Sequence, residues 1–457
     1  MESSTPNDLV GLLLSINDID TLQTNTHLLT SLNNLTVEQL ADTNPNDPLT
    51  VLNPRLHSLG YFYFVTARCN LCTQQNAFEL YNILWQFIQH ADWNQVKLAG
   101  AQMTRIVTAL DRLAQVQNNS ILPLSPLSTI ISQLDTLTAT NTPSSHSIFG
   151  CALTVFHSAL AKLCLLTKMY KYPLPILDKD IVQVYGTTIE HYLEYHYYGA
   201  IIYIGNKEYE KAMDFLTLVI AAPVHKAVSA IQLEAYKRYI LVSLIAFGQV
   251  CPLPKYVTPT IEKTCKKQNA AYFSLIDAFD HRDIGKLISV LQKHRQTFNS
   301  DGLVGLTNQL VQASYRKKIM TLTTIYYKVK LDDLSHQISP SSSSPLTKDQ
   351  LEHLLVDMIG KDHIKATISI VLIDGSPVKM VQFNEESSPT SPSSRSTHRL
   401  ELAMAQVAHI NDQLSRMDKT EGLNKDFQSK YMVLSANGGA PSAVSTIDED
   451  MDVPLDE

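Results

Sequence analysis

Two stretches carry residue types whose spacing could do chemistry: "HYLEYH", with His191, Glu194 and His196, and "CNLC", with Cys69 and Cys72. A zinc protease pair needs histidines four apart on one helix face, with a carboxylate between them as base. His191 and His196 are five apart, so on a helix they diverge by roughly 140° and cannot share one ion. They read as surface or interfacial histidines. A metal isopeptidase needs a Glu, an HxH pair and a downstream Asp or Ser, and the chain contains no HxH. The cysteine pair has ligand spacing, but no second CxxC or HxxxH completes four ligands. It follows the apolar run "YFYFVTAR", so buried structural thiols are expected, and a thiol reductase would want a βαβ context that is missing. HExxH, GxSxG, GxGxxG and the phosphate-loop pattern are absent as well. The expectation is a protein that is not an enzyme, with no catalytic residue, no cofactor and no metal.

The elements that would position any site are helical. The chain has 457 residues, 44% hydrophobic and 18% charged, enough for large cores in two to three structural regions of a soluble protein. Its net charge of −7 comes largely from the last eleven residues, "IDEDMDVPLDE", with six acids and no base. Without them the body is nearly neutral, which does not suit phosphate-backbone binding. Six cysteines in so long a chain read as reduced intracellular thiols. The start "MESSTPNDLVGLLLS" lacks the basic region of a secretory signal, and the apolar run near "YILVSLIAFG" is about half the roughly 20 residues that span a bilayer.

Residues 1 to 175 alternate leucine-spaced helical patterns with polar breaks such as "DTNPNDP", and no strand is expected among them. From 176 to 304 the pairing is clearer. In "YYGAIIYIGNKEYEKAMDFLTLVI" one helix runs through Tyr198, Ile201 and Ile202, breaks near Gly205, and restarts through Ala212, Phe215 and Val219. Gly199 and Ala212 let the two helices approach while the tyrosines and Phe215 fill the wider gaps, the logic of a tetratricopeptide-type repeat. Such a pair cannot cover its own apolar face, so neighbours stack into a solenoid.

Residues 305–386 change character. "GLTNQLVQASYRKKIMTLTTIYYKV" reads as one amphipathic helix and "KLDDLSHQI" as a short one. "TKDQLEHLLVDMIG" is a third, N-capped by Thr347, burying Leu351, Leu354, Leu355 and Met358, and ended by Gly360. "HIKATISIVLIDGSPVKMVQF" alternates β-branched residues around "DG", a hairpin. Three helices and a hairpin make a winged helix. A Ser/Pro linker at 387–397 precedes a last helix at 398–431, and 432–457 should be disordered. In that helix Leu400, Ala403, Val407, Ile410, Leu414 and Met417 repeat at spacings of 3 and 4, a heptad stripe that needs a partner helix. Ser339, Ser344, Ser388 and Ser391 precede prolines and read mainly as spacer, with phosphorylation as the regulatory alternative.

A repeat stack running into a winged helix resembles the PCI module, shared by the proteasome lid, the COP9 signalosome and an initiation-factor complex. Within it the chain most resembles the subunit 3 branch of the signalosome, through "YHYYGAIIYIGNKEYEKAMDFLTLVIAAP", "LEAYKRYILVSLIAFGQVCPLPKY", "HSLGYFYFV", "KLCLLTKMYKYPLPILDKDI" and "AQVAHINDQLSRMDK". Serine insertions near 341–344 and 387–396 and a long hairpin depart from that pattern. The resemblance implies a scaffold subunit of the complex that removes Nedd8 from cullins, with the isopeptidase in a different subunit. It also implies winged helices associating edge to edge and C-terminal helices gathered in a bundle, in cytoplasm and nucleus. The expected partners are other signalosome subunits and, through the whole complex, cullin-RING ligases, with no membrane.

Under that resemblance Ile364, Ala366, Ile368, Val381 and Phe383 of the hairpin, with the six stripe residues of the last helix, are the expected interface. The alternatives are a sheet edge guarded by Lys365 and Lys379, and a last helix packed on its own repeats. A winged helix also suggests nucleic acid. However, residues 347–361 set Lys348 and Lys361 against Asp349, Glu352 and Asp357, and residues 303–386 hold nine basic and nine acidic side chains. Nucleic acid is therefore not the expected partner, and a nucleic-acid adaptor or a proteasome-lid subunit are the competing readings.

Overall fold

A computed structural model describes residues 6–16, 19–42, 47–141, 150–223, 227–281, 284–338, 347–360, 363–373, 376–383, 394–425 and 428–429. The segments around Ser339, Ser344, Ser388 and Ser391, the "DG" turn and the acidic tail lie outside them. The described residues group into two compact units, one drawn from 1–364 and 370–380, the other from 365–369 and 381–457.

In the first unit, five short helices between Pro6 and Val51 lead into α1 (Ser58–Asn70), buried on almost every face. A helix apolar all round belongs inside a core. Its hydroxyls are turned onto backbone: Thr66 donates to the Phe62 carbonyl at 2.7 Å, and Ser58 to that of Pro54 at 2.7 Å. α2 (Ala77–His90) packs on α1, and α3 (Leu124–Asn141) follows after further helical elements.

Next comes a departure from the all-helical expectation. β1 (Gly150–Leu153) pairs in parallel with β2 (Asp180–Val184), with a register irregularity between Cys151 and Ala152. α4 (Val155–Leu166) lies in the crossover that a parallel pair requires. Runs of four or five residues are too short to show a period, which is why the sequence conceals them.

The repeat pattern continues with α5 (Ile189–Gly205), α6 (Tyr209–Ala221) and α7 (Ala230–Phe247). α7 begins with a reciprocal cap between Ser229 and Gln232 and ends at Gly248, whose φ of 69° suits the left-handed cap. Gln232 is buried, and its amide nitrogen also donates to the carbonyls of Val219 and Ala222 at 3.2 and 3.0 Å. One side chain thereby starts α7 and satisfies the end of α6. Two large apolar clusters result, and Tyr192, Ile204 and Phe215 pack against both.

Gly199 does not act by letting backbones touch. A Cβ there would meet Phe215 Cε1 at 2.7 Å and Cδ1 at 2.8 Å, so the missing side chain makes room for the Phe215 ring. That ring is flanked by His196 and Tyr203 at centroid distances of 5.3 and 5.1 Å.

α8 (Ala270–Asp280) and α9 (Val304–Thr323) complete the second cluster. α9 stops at Thr323, and β3 (Lys328–Lys330) follows, so the stretch expected as one helix is helix then strand. "IYYKV" is β-branched and aromatic, a composition that suits a strand. α10 (Leu331–Ile338), α11 (Lys348–Gly360), β4 (Ala366–Ile373) and β5 (Ser376–Phe383) finish the winged helix, with sheet order β3-β5-β4. α12 (Ser394–Gly422) is the terminal helix, starting slightly before its expected position.

Gly199→Ala should lower stability by about 1 kcal/mol, overpacking against the ring outweighing the gain in helix propensity. Urea unfolding checks it: an unchanged or raised midpoint would show that the ring moves freely.

Candidate functional site

α11 is capped as its sequence predicts: Thr347 and Gln350 exchange side-chain to backbone hydrogen bonds of 3.2 and 3.4 Å. Leu351, Leu355 and Met358 are fully buried, while Leu354 is only half-buried. Two of the cations on this surface are engaged locally. Lys348 pairs with Asp332 of α10 at 2.8 Å, and Lys379 of β5 with Glu352 of α11 at 2.5 Å. The Glu352 carboxylate holds the Lys379 ammonium above the usual lysine range.

Sheet order leaves β4 with β5 on one side, and among the described residues no strand pairs with its other side. Ile364, Ala366, Val381 and Phe383 are buried within the chain and Ile368 is half-buried. Their burial leaves the backbone edge and the exposed residues of this strand to form any interface. Lys365, Thr367, Ser369 and Ile370 are exposed, Ile370 by 67%.

On α12, Leu400, Val407, Ile410, Leu414 and Met417 are each more than half exposed. Met404, absent from the expected stripe, is 65% exposed beside them. Ala403 lies in this helix; its side chain is outside the described ones. Arg416 and Asp412 pair at 2.8 Å, one turn apart. Uncovered apolar residues repeating at heptad spacing form a surface for a second helix.

The residues with catalytic types are placed structurally. Cys69 and Cys72 are buried free thiols, and burial pushes Cys69 up to about 12. His191 faces Thr188 at 2.7 Å. His196 is buried rather than superficial: its Nδ1 donates to the Tyr192 carbonyl at 2.9 Å, and it packs between Tyr195 and Phe215. The tyrosine-rich repeat needs a flat ring there, and imidazole is one whose polar edge can reach the helix backbone.

Comparison with known proteins agrees with this architecture. The family described as COP9 signalosome complex subunit 3, N-terminal helical repeats, matches residues 19–261, and the PCI domain matches 291–372. The COP9 signalosome complex subunit 3 of Arabidopsis thaliana is 30% identical over 323 residues, covering 70% of this chain and 71% of the relative. The protein of the same name from Dictyostelium discoideum is 26% identical over 390 residues, covering 84% and 86%.

Burial drives the His196 imidazole down to about 4, against the opposing hydrogen bond to Tyr192. An unfolded chain protonates this group near pH 6.5, so stability is intact above that pH and declines as pH falls toward 4. Between pH 7.5 and 5 the wild-type chain should lose about 2 kcal/mol more than His196→Phe. Parallel losses in urea titrations at the two pH values would contradict the assignment.

Proposed function

Because the chain belongs to the COP9 signalosome complex subunit 3 family, we propose that it is a non-catalytic scaffold of that complex, which removes Nedd8 from the cullin subunits of cullin-RING ubiquitin ligases. The isopeptidase then resides in another subunit, and this chain acts by holding neighbours in place in cytoplasm and nucleus. Its partners are the other signalosome subunits, with cullin-RING ligases reached through the whole complex.

The observation that carries this reading is the uncovered stripe Leu400–Met417, which supports a C-terminal helical bundle. The outer margin of β4 supports edge pairing of winged helices, since an unpaired strand rich in Ile and Val is an aggregation hazard until a neighbour completes it. The Lys348–Asp332 and Lys379–Glu352 pairs count against a nucleic-acid adaptor, which needs free cations for phosphates. No described helix is long and apolar enough to cross a membrane.

A chain carrying Val407→Asp, Ile410→Asp and Leu414→Asp should keep the wild-type circular dichroism and thermal midpoint, since all three side chains are exposed. Purified from cells and assayed by mass spectrometry, it should lose its signalosome companions by about tenfold or more. Undiminished recovery of those companions would overturn the bundle, and a wild-type chain that purifies without them would overturn the scaffold reading itself.

A further inference from the structure

Around the short parallel ladder the fold gathers three donor types that stand apart in sequence, at separations matching no ligand motif. Asp135 is on α3, Cys151 on β1 and His157 in the first turn of α4. A carboxylate oxygen, the thiol sulfur and an imidazole nitrogen lie within 4.8 Å of one another. Cys151 and His157 are 2% and 1% exposed.

The imidazole is anchored by one edge. Its Nδ1 lies 3.2 Å from the Thr154 amide nitrogen and 3.0 Å from Thr154 Oγ1, forming the cap of α4. Nε2 is buried with no hydrogen-bond partner. Tyr195, edge-on to this ring at 5.8 Å, likewise has a buried hydroxyl with no partner. Buried polar atoms without partners on two neighbouring rings call for an explanation, and a bound ion is one. Lys179 Nζ sits 2.7 Å from Asp135 Oδ2, and its side chain is 46% exposed. Positive charge is thus drawn to the place, and solvent reaches it along the lysine.

We propose that Asp135, Cys151 and His157 bind a divalent transition-metal ion, zinc being the best match to a carboxylate, thiolate and imidazole set, and that Lys179 neutralises Asp135 in the ion's absence. The Cys151 sulfur gives its proton to solvent as the metal–sulfur bond forms. In the cap, Nδ1 accepts from the Thr154 amide; metal binding through Nε2 moves the ring proton to Nδ1, which then donates to Thr154 Oγ1 in place of that bond. The Lys179 ammonium withdraws into water, and the fourth position falls to the Tyr195 hydroxyl or to a water. The ion ties α3, β1 and α4 together.

The test uses the full chain, stripped with a chelator and titrated with zinc against a chromophoric competitor, with cobalt as spectroscopic probe. The expected result is one ion per chain, with a thiolate-to-cobalt charge-transfer band. Cys151→Ser and His157→Gln should abolish the band and weaken zinc by more than about a hundredfold, since even partners behind a ligand are worth roughly 10–100-fold. Lys179→Met, at a partly exposed side chain, should keep the fold and tighten zinc by removing the competing cation. Absence of binding, a band that survives Cys151→Ser, or weaker binding in Lys179→Met would each overturn the site, and the last needs no variant of a buried residue.

Discussion

A helix pair presents two apolar faces, and pairing covers only one of them. Each pair in this chain therefore depends on its neighbour, and the dependence can be followed residue by residue. Tyr192, Ile204 and Phe215 lie between the two clusters and pack against both. Gln232 ends α6 and begins α7, so neither terminus is complete without the other. The chain meets the requirement internally through most of its length. It does not meet it on α12, whose apolar stripe stays exposed, nor at β4, whose outer margin has no strand among the described residues. The proposed scaffold role rests on those two places.

Long periodic elements were legible in the sequence because a period needs length to show. The Tyr198–Val219 helix pair, the Thr347 cap and the heptad stripe all stand where their spacing put them. Short strands are not legible: "GCAL" and "DIVQV" have no period, and "KVK" continues the pattern of the helix before it. The role of Gly199 was half visible. The need for a small residue at Gly199 is legible, but that its missing side chain accommodates the Phe215 ring depends on rotamers sequence does not encode. For the hairpin, Ile364, Ala366, Ile368, Val381 and Phe383 are the expected interface, and the fold buries four of them and half-buries Ile368.

The Asp135, Cys151 and His157 cluster was hidden for a different reason. Recognisable ligand motifs keep two donors within one turn or loop, so spacing alone betrays them. Here each donor stands on its own element, and the parallel ladder that brings them together was itself unread. A single signal was available: a histidine as third helical residue after Thr154, where Glu or Gln normally completes the cap, hints at a ring held for a second purpose.

In the proposed scaffold, companion subunits complete β4 and α12. Amide hydrogen exchange, measured on the purified chain and on the assembly isolated from cells, tests it most directly. Residues 366–373 and 394–422 should exchange quickly in the lone chain and slowly in the assembly, with α5 and α6 unchanged between the two. Equal, strong protection of both segments in the lone chain would mean that this molecule already covers its own surfaces, and would contradict the account.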